Sequence, residues 1–496
     1  MRLAAAGARV ETALGLPWVG WMLLAALGLL YLQAYAHHPL NPGPGPAEAR
    51  LGWWSWADQF VYWQSAAELA QFRLTAENYH YPLGYSFLGA LCWRWLPAHP
   101  FLIPDLLLVL GAAAAWWRLT RGWLDRRLTL LTAVAFILGH REVLALTQVV
   151  PWNTIATQCL LIAGLGVMVG SSGRRTVAGL TGLAVLAYLV RPGDAACFAP
   201  MLVWSVLRLP GWRERLISGA AGVAAIGAVV VAVALLNHAL FGTRDTPYER
   251  MTWQAIGFFS YPVLHKVYWL FVDGGSFFGE TDPALLFRYP WLFLVVPGAI
   301  YWVRRQGMAA VAALTTVALN WTLYVNYNDF LPSAIFRYSL IHYLTWAFAP
   351  LFALAVAGLW QGWRERGVQV GLTVALGLAV VATGLQLEPR ELSVNASSGR
   401  VEALPTVRPL WVNFPGEPLE KVRQLRLDGR HLQEAGDYQI PYVPSDLRVM
   451  LSTRARGTAL AALPEADLRA VPQVGDFVWG WRFDLSRWHR SVRRGD

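Results

Sequence analysis

Apolar residues along this chain gather into long runs that short polar segments separate. A helix that crosses a bilayer needs about 20 mostly apolar residues, and the charged residues lie mainly at the ends of the runs. The pattern predicts an all-α polytopic membrane protein with about eleven transmembrane helices. The predicted spans are Leu16–Ala36, Phe101–Trp117, Leu128–Gly139, Trp152–Gly170, Thr176–Val190, Ala195–Leu209, Leu216–Leu236, Pro290–Val303, Met308–Tyr324, Ser339–Trp360 and Val368–Leu387.

Arginine clusters give the predicted spans an orientation. Cytoplasmic loops of membrane proteins carry an excess of Lys and Arg, and the tight clusters here follow every second span. Assigning the clusters to the cytoplasm places the other span ends on the periplasmic side of a bacterial inner membrane. The clusters are Arg126-Arg127, Arg174-Arg175, Arg213 with Arg215, Arg304-Arg305, and Arg364 with Arg366.

The same orientation defines a transmembrane domain, residues 1–387, with a first outer loop at 37–100 and a third outer loop at 241–289. Ala34-Tyr35-Ala36 is similar to a signal-peptidase site, but the apolar run before it is longer than in most signal peptides. We therefore expect an uncleaved anchor. In the first outer loop, Tyr85–Leu96 is apolar but short, which predicts a helix lying in the membrane interface.

The tail, residues 388–496, differs in pattern from the rest of the chain. Charge rises, and polar and apolar residues alternate in Val422–Leu427 before Asp428-Gly429, a hairpin signal. Leu447–Leu451 and Phe477–Phe483 are further strand candidates. We interpret the tail as a small, β-rich domain on the outer side.

Composition supports the membrane interpretation and argues against a soluble nucleic-acid-binding protein and against a zinc site. Hydrophobic residues make up 56% of the chain and charged residues only 15%. In soluble globular domains, charged residues usually make up about 25%. The net charge of +10 would indicate nucleic acid in a soluble protein. Here the Arg residues lie between apolar runs, so no nucleic-acid partner is expected. Cys92, Cys159 and Cys197 each lie in an apolar stretch, which predicts buried free thiols and no zinc site.

Candidate chemistry lies just after the first span, where Asp58 stands among Trp and Tyr residues. A carboxylate close to lipid is costly unless it has a partner or a function. Apolar neighbours should also raise its pKa toward values useful for a base. The alternative is that Asp58 is the N-cap of a helix at Gln59–Phe72, accepting backbone N–H bonds.

Several motifs, taken in chain order, resemble the GT-C superfamily of membrane glycosyltransferases. The closest likeness is to polyprenyl-phosphate-mannose-dependent and protein-mannosyltransferase-like branches. It covers roughly Leu16–Pro350 and depends on the order and spacing of short motifs against the predicted topology. The motifs are Asp58, Tyr81-Pro82-Leu83, Arg126-Arg127, Arg141, Leu189-Val190-Arg191-Pro192 and Phe336-Arg337-Tyr338.

This resemblance implies a role for Asp58 as the general base on an acceptor hydroxyl. The implied donor is a sugar on a polyprenyl phosphate, attacked with inversion at the anomeric carbon. The departing phosphate needs cations, and Arg337 with His342 about one turn later is the first candidate pair. Arg191 is a further candidate, although Asp194 three residues later could simply pair with it. Lys266 is a weaker candidate in the third outer loop.

A departure from the family pattern concerns the second acid that many GT-C enzymes carry near the third or fourth span. Asn153 occupies about that place here. Glu142 is the candidate substitute, unless it pairs with Arg141; the alternative is a site that works with Asp58 alone. A metal-assisted mechanism with two carboxylates is therefore in doubt. No cofactor is indicated with certainty; a divalent metal is possible but not indicated, and no metal ligand is assigned. The pair His37-His38 could suggest a metal, but two adjacent His side chains point apart on a strand or a helix.

Aromatic residues of the first outer loop are candidates for lining a sugar or acceptor site. They are Tyr62, Tyr79, His80 and Tyr81. The alternative is an aromatic belt at the membrane interface. The expected function is inverting sugar transfer from a polyprenyl-phosphate donor to a glycan, lipid or protein acceptor on the outer face. An enzyme like O-antigen polymerases and ligases, and a lipid-linked sugar transporter, remain the alternatives.

Overall fold

The protein's structure, a computed structural model, describes most of the helical part of the chain and nine short strands of the tail. The described residues are 17–36, 41–42, 52–55, 57–123, 129–130, 132–133, 148–170, 173–250, 252, 263–272, 284–327, 342–363 and 366–385, and the strands between 391 and 471.

Helices make up nearly all of the described part before residue 386. They are α1 Pro17–Ala36, α2 Ala57–Ala70, α3 Leu83–Trp93, α4 Leu102–Trp123, α5 Asn153–Gly170, α6 Arg174–Val190, α7 Pro192–Ala195, α8 Ala199–Leu207, α9 Trp212–Phe241, α10 Pro247–Arg250, α11 Val263–Phe271, α12 Leu285–Arg288, α13 Val295–Gln306, α14 Met308–Asn326, α15 His342–Thr345, α16 Phe348–Gly362 and α17 Arg366–Leu385. Short 3₁₀ segments lie at Gly52–Ser55, Ala196–Phe198 and Pro290–Leu294.

Three of the described helices, α4, α9 and α14, are long and apolar enough to cross a membrane. The helix α9 is the clearest of them, because none of its most apolar stretch is buried against the rest of the protein. Val223, Val231 and Leu235 on it are all exposed. A 30-residue apolar helix without protein cover is stable in hydrocarbon, where its backbone bonds are satisfied internally. The chain is a membrane protein.

Most predicted spans coincide with a helix, although the total of eleven stays a prediction. The predicted span Leu216–Leu236 is longer in the structure, where α9 runs from Trp212 to Phe241. The predicted span Ala195–Leu209 is broken into α7, a 3₁₀ segment and α8. The predicted span Leu128–Gly139 lies mostly outside the described residues. The predicted interfacial segment is indeed helical, as α3.

One large core joins the described residues between 52 and 100 to the rest of the helix bundle. The helices α4 and α5 pack along each other, α2 packs on α3, and α13 packs on α16. Trp53, Trp54 and Tyr85 are buried in the same core as Trp116 and Trp346. The described residues between 52 and 100 are therefore part of the folded body, which fixes the positions of the side chains buried there.

Glycines let two of these helices approach closely. A Cβ on Gly358 of α16 would lie 2.8 Å from the Cα of Gly298 on α13. A side chain at position 358 would therefore require the two helices to move apart. Small residues at such crossings are the usual basis of helix packing in membranes.

Gly358→Ala is therefore expected to destabilise the protein, by about 1–3 kcal/mol from overpacking, of which the better helix propensity of Ala offsets about 1 kcal/mol. The check is the thermal unfolding temperature in detergent. Gly377→Ala is the matched control, because no atom lies within 4 Å of a Cβ built there. An unfolding temperature that falls equally in both variants would contradict the close crossing of α13 and α16.

The strands of the tail form three small antiparallel sheets. The strands are β1 Glu391–Val394, β2 Val401–Leu404, β3 Leu410–Pro415, β4 Arg426–Leu427, β5 Arg430–His431, β6 Tyr438–Gln439, β7 Asp446–Leu451, β8 Leu460–Ala461 and β9 Ala470–Val471. The sheet orders are β1-β2, β6-β7-β3-β9 and β5-β4-β8.

Two sequence patterns of the tail correspond to these strands. The strands β4 and β5 pair across Asp428-Gly429, with Leu427 opposite Arg430, where the hairpin signal lies. The strand β7 covers Leu447–Leu451, whereas Phe477–Phe483 lies outside the described residues. That the tail forms one separate outer domain stays a prediction.

Candidate active site

Asp58 lies in the first turn of α2, at the second position of the helix. A carboxylate there is stabilised by the positive end of the helix dipole. Gln59 beside it is buried and donates from Nε2 to the carbonyl oxygen of Pro151 at 3.1 Å, which attaches the start of α2 to the segment before α5. Asp58 itself is half-buried. The structure thus places this acid inside the helix rather than at the N-cap before Gln59.

Tyr81 holds the Asp58 carboxylate through a hydrogen bond. Its hydroxyl donates to Asp58 Oδ1 at 2.5 Å. Burial raises the pKa of Tyr81, and the charge of Asp58 raises it further, so the phenol keeps its proton. Ser65 donates to the carbonyl oxygen of Asn78 at 2.6 Å, which fixes the loop between α2 and α3. The carboxylate is therefore oriented by a protonated neighbour on a fixed loop.

Gly84 brings the start of α3 against the segment that carries Arg191. A Cβ at Gly84 would lie 2.6 Å from the carbonyl oxygen of Leu189 and 2.9 Å from the amide nitrogen of Val190. A residue with a side chain does not fit at this distance. The Tyr-Pro-Leu-Gly motif thus packs backbone to backbone against the end of α6.

Arg191 is buried between α6 and α7 in an extended conformation. Its guanidinium carbon lies 4.8 Å from the ring centre of Tyr324 and 4.4 Å from that of Tyr343. Its Nε lies 3.8 Å from Asp194 Oδ2, a separation beyond hydrogen-bond length. A buried guanidinium needs such a counter-charge and aromatic faces to offset its lost hydration.

Asp194 is held mainly by neutral donors. Its Oδ1 accepts from the Tyr324 hydroxyl at 2.5 Å and from Asn320 Nδ2 at 3.3 Å. Its Oδ2 accepts from the Thr157 hydroxyl at 2.6 Å. The Arg191–Asp194 pairing that the sequence left open is present, but Asp194 neutralises the guanidinium without being its close hydrogen-bond partner.

Tyr62 lies on the helix that carries the acid and packs against Tyr81. It lies one turn after Asp58 on α2 and is buried, and its ring centre is 4.7 Å from that of Tyr81. Burial raises the pKa of Tyr62; the charge of Asp58 raises it further, whereas that of Arg191 lowers it. One hydroxyl therefore lies within electrostatic reach of both charges. We call Asp58, Tyr62, Tyr81 and Arg191 the acid–guanidinium cluster.

The other residues predicted for the sugar site are placed differently from one another. Tyr79 is buried, with its ring centre 5.3 Å from that of Phe241. His80 is half-buried, with its ring centre 4.9 Å from that of Tyr81. Burial lowers the pKa of His80, against the opposing effect of Asp58, so its imidazole is neutral at pH 7. Of these two residues, His80 is the one beside the cluster.

The predicted phosphate ligands are only partly described. His342 is buried, with its ring centre 4.7 Å from that of Trp152 and 4.0 Å from that of Tyr343. Arg337 lies outside the described residues. So do Glu142, the candidate second acid, and the pair His37-His38. Asn153 is buried at the start of α5.

Two buried groups outside the cluster have a clear structural partner. Asp105 lies in the first turn of α4 and accepts a hydrogen bond from the Tyr85 hydroxyl at 2.8 Å. The sequence interpretation missed it, although an acid within an apolar run is a signal in itself. Lys266 is buried and its Nζ donates to the carbonyl oxygen of Tyr327 at 2.7 Å; burial lowers its pKa to about 8.

Cys92, Cys159 and Cys197 are buried and free, as their apolar surroundings predict. Within the ranges that the structure describes, no group of three or more His, Cys, Asp or Glu side chains is arranged to hold a metal ion.

The solved structures that are similar to this chain include two enzymes. One is ArnT from Cupriavidus metallidurans bound to undecaprenyl phosphate, at 13% identity and a TM-score of 0.46, covering 77% of this chain and 66% of that one. The other is the Archaeoglobus fulgidus oligosaccharyltransferase tethered with an acceptor peptide, at 12% identity and a TM-score of 0.41, covering 74% of this chain and 54% of that one.

No family model matches the chain, and no curated protein matches it by sequence. The function is therefore inferred from the chain's own side chains.

Proposed function

We propose that this chain is an inverting glycosyltransferase that moves a sugar from a polyprenyl-phosphate donor to an acceptor hydroxyl. The observation that carries the proposal is the acid–guanidinium cluster. Its carboxylate and its cation come from segments more than a hundred residues apart, and the close backbone approach of Gly84 to Leu189 and Val190 brings these segments together. A base beside a phosphate-binding cation is what this transfer requires, and the GT-C resemblance of the motifs assigns Asp58 the same role.

The chemistry follows from these positions. Asp58 accepts the proton of the acceptor hydroxyl while the oxygen of that hydroxyl forms a bond to the anomeric carbon. The bond from that carbon to the phosphate oxygen breaks on the opposite face, so the configuration inverts through an oxocarbenium-like transition state. The electron pair of that bond leaves with polyprenyl phosphate. The hydrogen bond from Tyr81 keeps the carboxylate oriented during the transfer.

Arg191 is the cation that we assign to the leaving phosphate. Its planar guanidinium suits phosphate because it donates two parallel hydrogen bonds. The Tyr324 and Tyr343 rings hold it in place, and Asp194 lies beyond hydrogen-bond distance from its Nε. His342 and Arg337 stay candidates for the same phosphate, from the late part of the chain.

The acceptor and the setting are proposed more broadly. The acceptor is a hydroxyl of a glycan, lipid or protein on the outer face of a bacterial inner membrane. That side is assigned from the arginine clusters, which place the first and third outer loops there. The membrane itself supplies the donor, because a polyprenyl chain stays in the bilayer while its phosphate reaches the cluster.

Replacing Arg191 tests the phosphate site. Arg191→Lys keeps the charge but loses the bidentate geometry, and Arg191→Gln loses both. We expect the Kd for undecaprenyl phosphate to rise roughly 10- to 100-fold in Arg191→Gln and less in Arg191→Lys, since a charged hydrogen bond contributes about 1.5–3 kcal/mol. The measurement is native mass spectrometry of the purified protein in nanodiscs.

The matched control is Arg174→Gln, at an exposed arginine whose partner is Glu214. It should leave the lipid affinity unchanged. Folding is checked by thermal unfolding, because Arg191→Gln removes the counter-charge of buried Asp194. Folded Arg191→Lys and Arg191→Gln proteins that bind the lipid as tightly as the wild type would overturn this phosphate site.

A further inference from the structure

The short helix α10 carries a tyrosine from the third outer loop to the acid–guanidinium cluster. A capping box holds α10: the Thr246 amide donates to Glu249 Oε2 at 2.8 Å, and the Glu249 amide donates to Thr246 Oγ1 at 3.1 Å. Asn237 of α9 also donates to the carbonyl oxygen of Arg244 at 2.9 Å. Because the N-terminal end of α10 is fixed in this way, the position of Tyr248 on α10 is defined by the fold.

Tyr248 packs directly on the residues around Asp58. Its ring centre lies 4.4 Å from that of Tyr81 and 6.1 Å from that of His80. Its amide donates to the carbonyl oxygen of His80 at 3.4 Å. Its hydroxyl also lies within electrostatic reach of Tyr62 and Arg191. The tyrosine therefore packs against the acid side of the cluster.

Exposure distinguishes Tyr248 from Tyr62 and Tyr81. Tyr62 is 2% exposed and Tyr81 7%, so their faces are covered by protein. Tyr343 is partly exposed, but its ring is stacked on Tyr324, with centres 4.5 Å apart and planes 11° apart. Tyr248 is also partly exposed. A ligand that reaches the cluster can thus contact the ring of Tyr248.

We propose that Tyr248 binds the sugar of the donor, a neutral pyranose or furanose, with a C–H face of that sugar against its ring. The inference rests on the proposed function, which places the anomeric carbon between Asp58 and Arg191. The negative face of an aromatic ring attracts the positively polarised C–H bonds of a sugar. The residue that reads the sugar is then distinct from the one that holds the phosphate.

Two kinds of lipid separate sugar binding from phosphate binding. One is undecaprenyl phosphate alone, and the other is undecaprenyl phosphate that carries mannose, glucose, galactose or arabinose. Tyr248→Ala should raise the KM and the Kd for the sugar lipid that the wild type turns over by about tenfold. It should leave the Kd for undecaprenyl phosphate unchanged. Tyr248→Phe retains the ring and should keep both affinities near those of the wild type. Tyr268→Ala, at a 49% exposed tyrosine of α11, is the matched control and should change neither.

Each outcome has a distinct meaning. Equal loss of affinity for both lipids in Tyr248→Ala would overturn the sugar contact, since Tyr248 would then support the fold or the phosphate site. A wild-type protein that binds every sugar lipid no more tightly than undecaprenyl phosphate would overturn it as well, and would leave the phosphate site intact. Failure of the wild type to bind undecaprenyl phosphate would instead contradict the proposed function.

Discussion

Asp58→Asn should reduce sugar transfer about 10²- to 10⁴-fold while the protein still binds undecaprenyl phosphate. Removal of a general base typically has an effect of that size. Asn matches Asp in shape, and its oxygen can still accept the hydrogen bond from Tyr81, so the geometry around position 58 should persist. The loss would therefore fall on the proton transfer, and kcat should decrease while the donor affinity stays near that of the wild type.

The assay reconstitutes the protein in nanodiscs with membrane extract as the source of acceptor. Labelled undecaprenyl-phosphate mannose, glucose, galactose and arabinose are supplied in turn, and the release of undecaprenyl phosphate is measured over time. Asp245→Asn is the matched control, at an exposed acid of the third outer loop, and should leave the rate unchanged.

Two results would count against the assignment, in different ways. Transfer by Asp58→Asn at the wild-type rate would show that another group accepts the proton. Transport of an intact sugar lipid across the bilayer without release of undecaprenyl phosphate would favour the transporter alternative.

The second large effect is expected at Gly84, where Gly84→Ala should both destabilise the protein and inactivate it. The added Cβ would lie 2.6 Å from the Leu189 carbonyl oxygen and 2.7 Å from its carbonyl carbon. These are backbone atoms, which cannot rotate away as the end of a side chain can. The helix α3 must then withdraw from α6, at a cost of about 1–3 kcal/mol, and the segment carrying Tyr81 moves away from Arg191.

The measurements for Gly84→Ala are the unfolding temperature and the transfer rate at a temperature where the variant stays folded. We expect the unfolding temperature to fall by several degrees and the rate to fall at least tenfold. Gly182→Ala is the matched control in the interior of α6, where a Cβ would meet no atom within 4 Å. Because Ala favours a helix over Gly by about 1 kcal/mol, the control should be neutral or slightly stabilised. A folded Gly84→Ala protein with wild-type activity would show that the close approach is not needed for the site.

Local pattern was sufficient to predict much of the helical part. The run Leu16–Ala36 predicts α1, and the run Met308–Tyr324 predicts α14, because a long apolar segment in lipid satisfies its backbone only as a helix. The break in the predicted span Ala195–Leu209 was not predicted, since average hydrophobicity does not reveal a short 3₁₀ segment between two helices. Asp58 could be selected for a similar reason: an acid among aromatic residues beside a span is costly without a role.

The neighbours of Asp58 and Arg191 were decided only by the tertiary structure. The sequence indicated Tyr81 as a sugar contact, whereas the structure shows its hydroxyl bound to Asp58. No sequence pattern indicated that Tyr248 lies near Asp58, because its capping box is typical of any helix start. Contacts across such separations depend on how whole helices pack, and neither periodicity nor propensity encodes that.

The sequence by itself determined that the chain lies in a membrane, where many of its helices begin and end, and that one acid stands among aromatic residues near the first span. Hydrophobic pattern determines these because each depends on residues within one segment. The tertiary structure decided that this acid shares a cluster with Arg191, and that Gly84 permits it. Both depend on backbone segments about a hundred residues apart meeting at a separation that only a residue without a side chain allows.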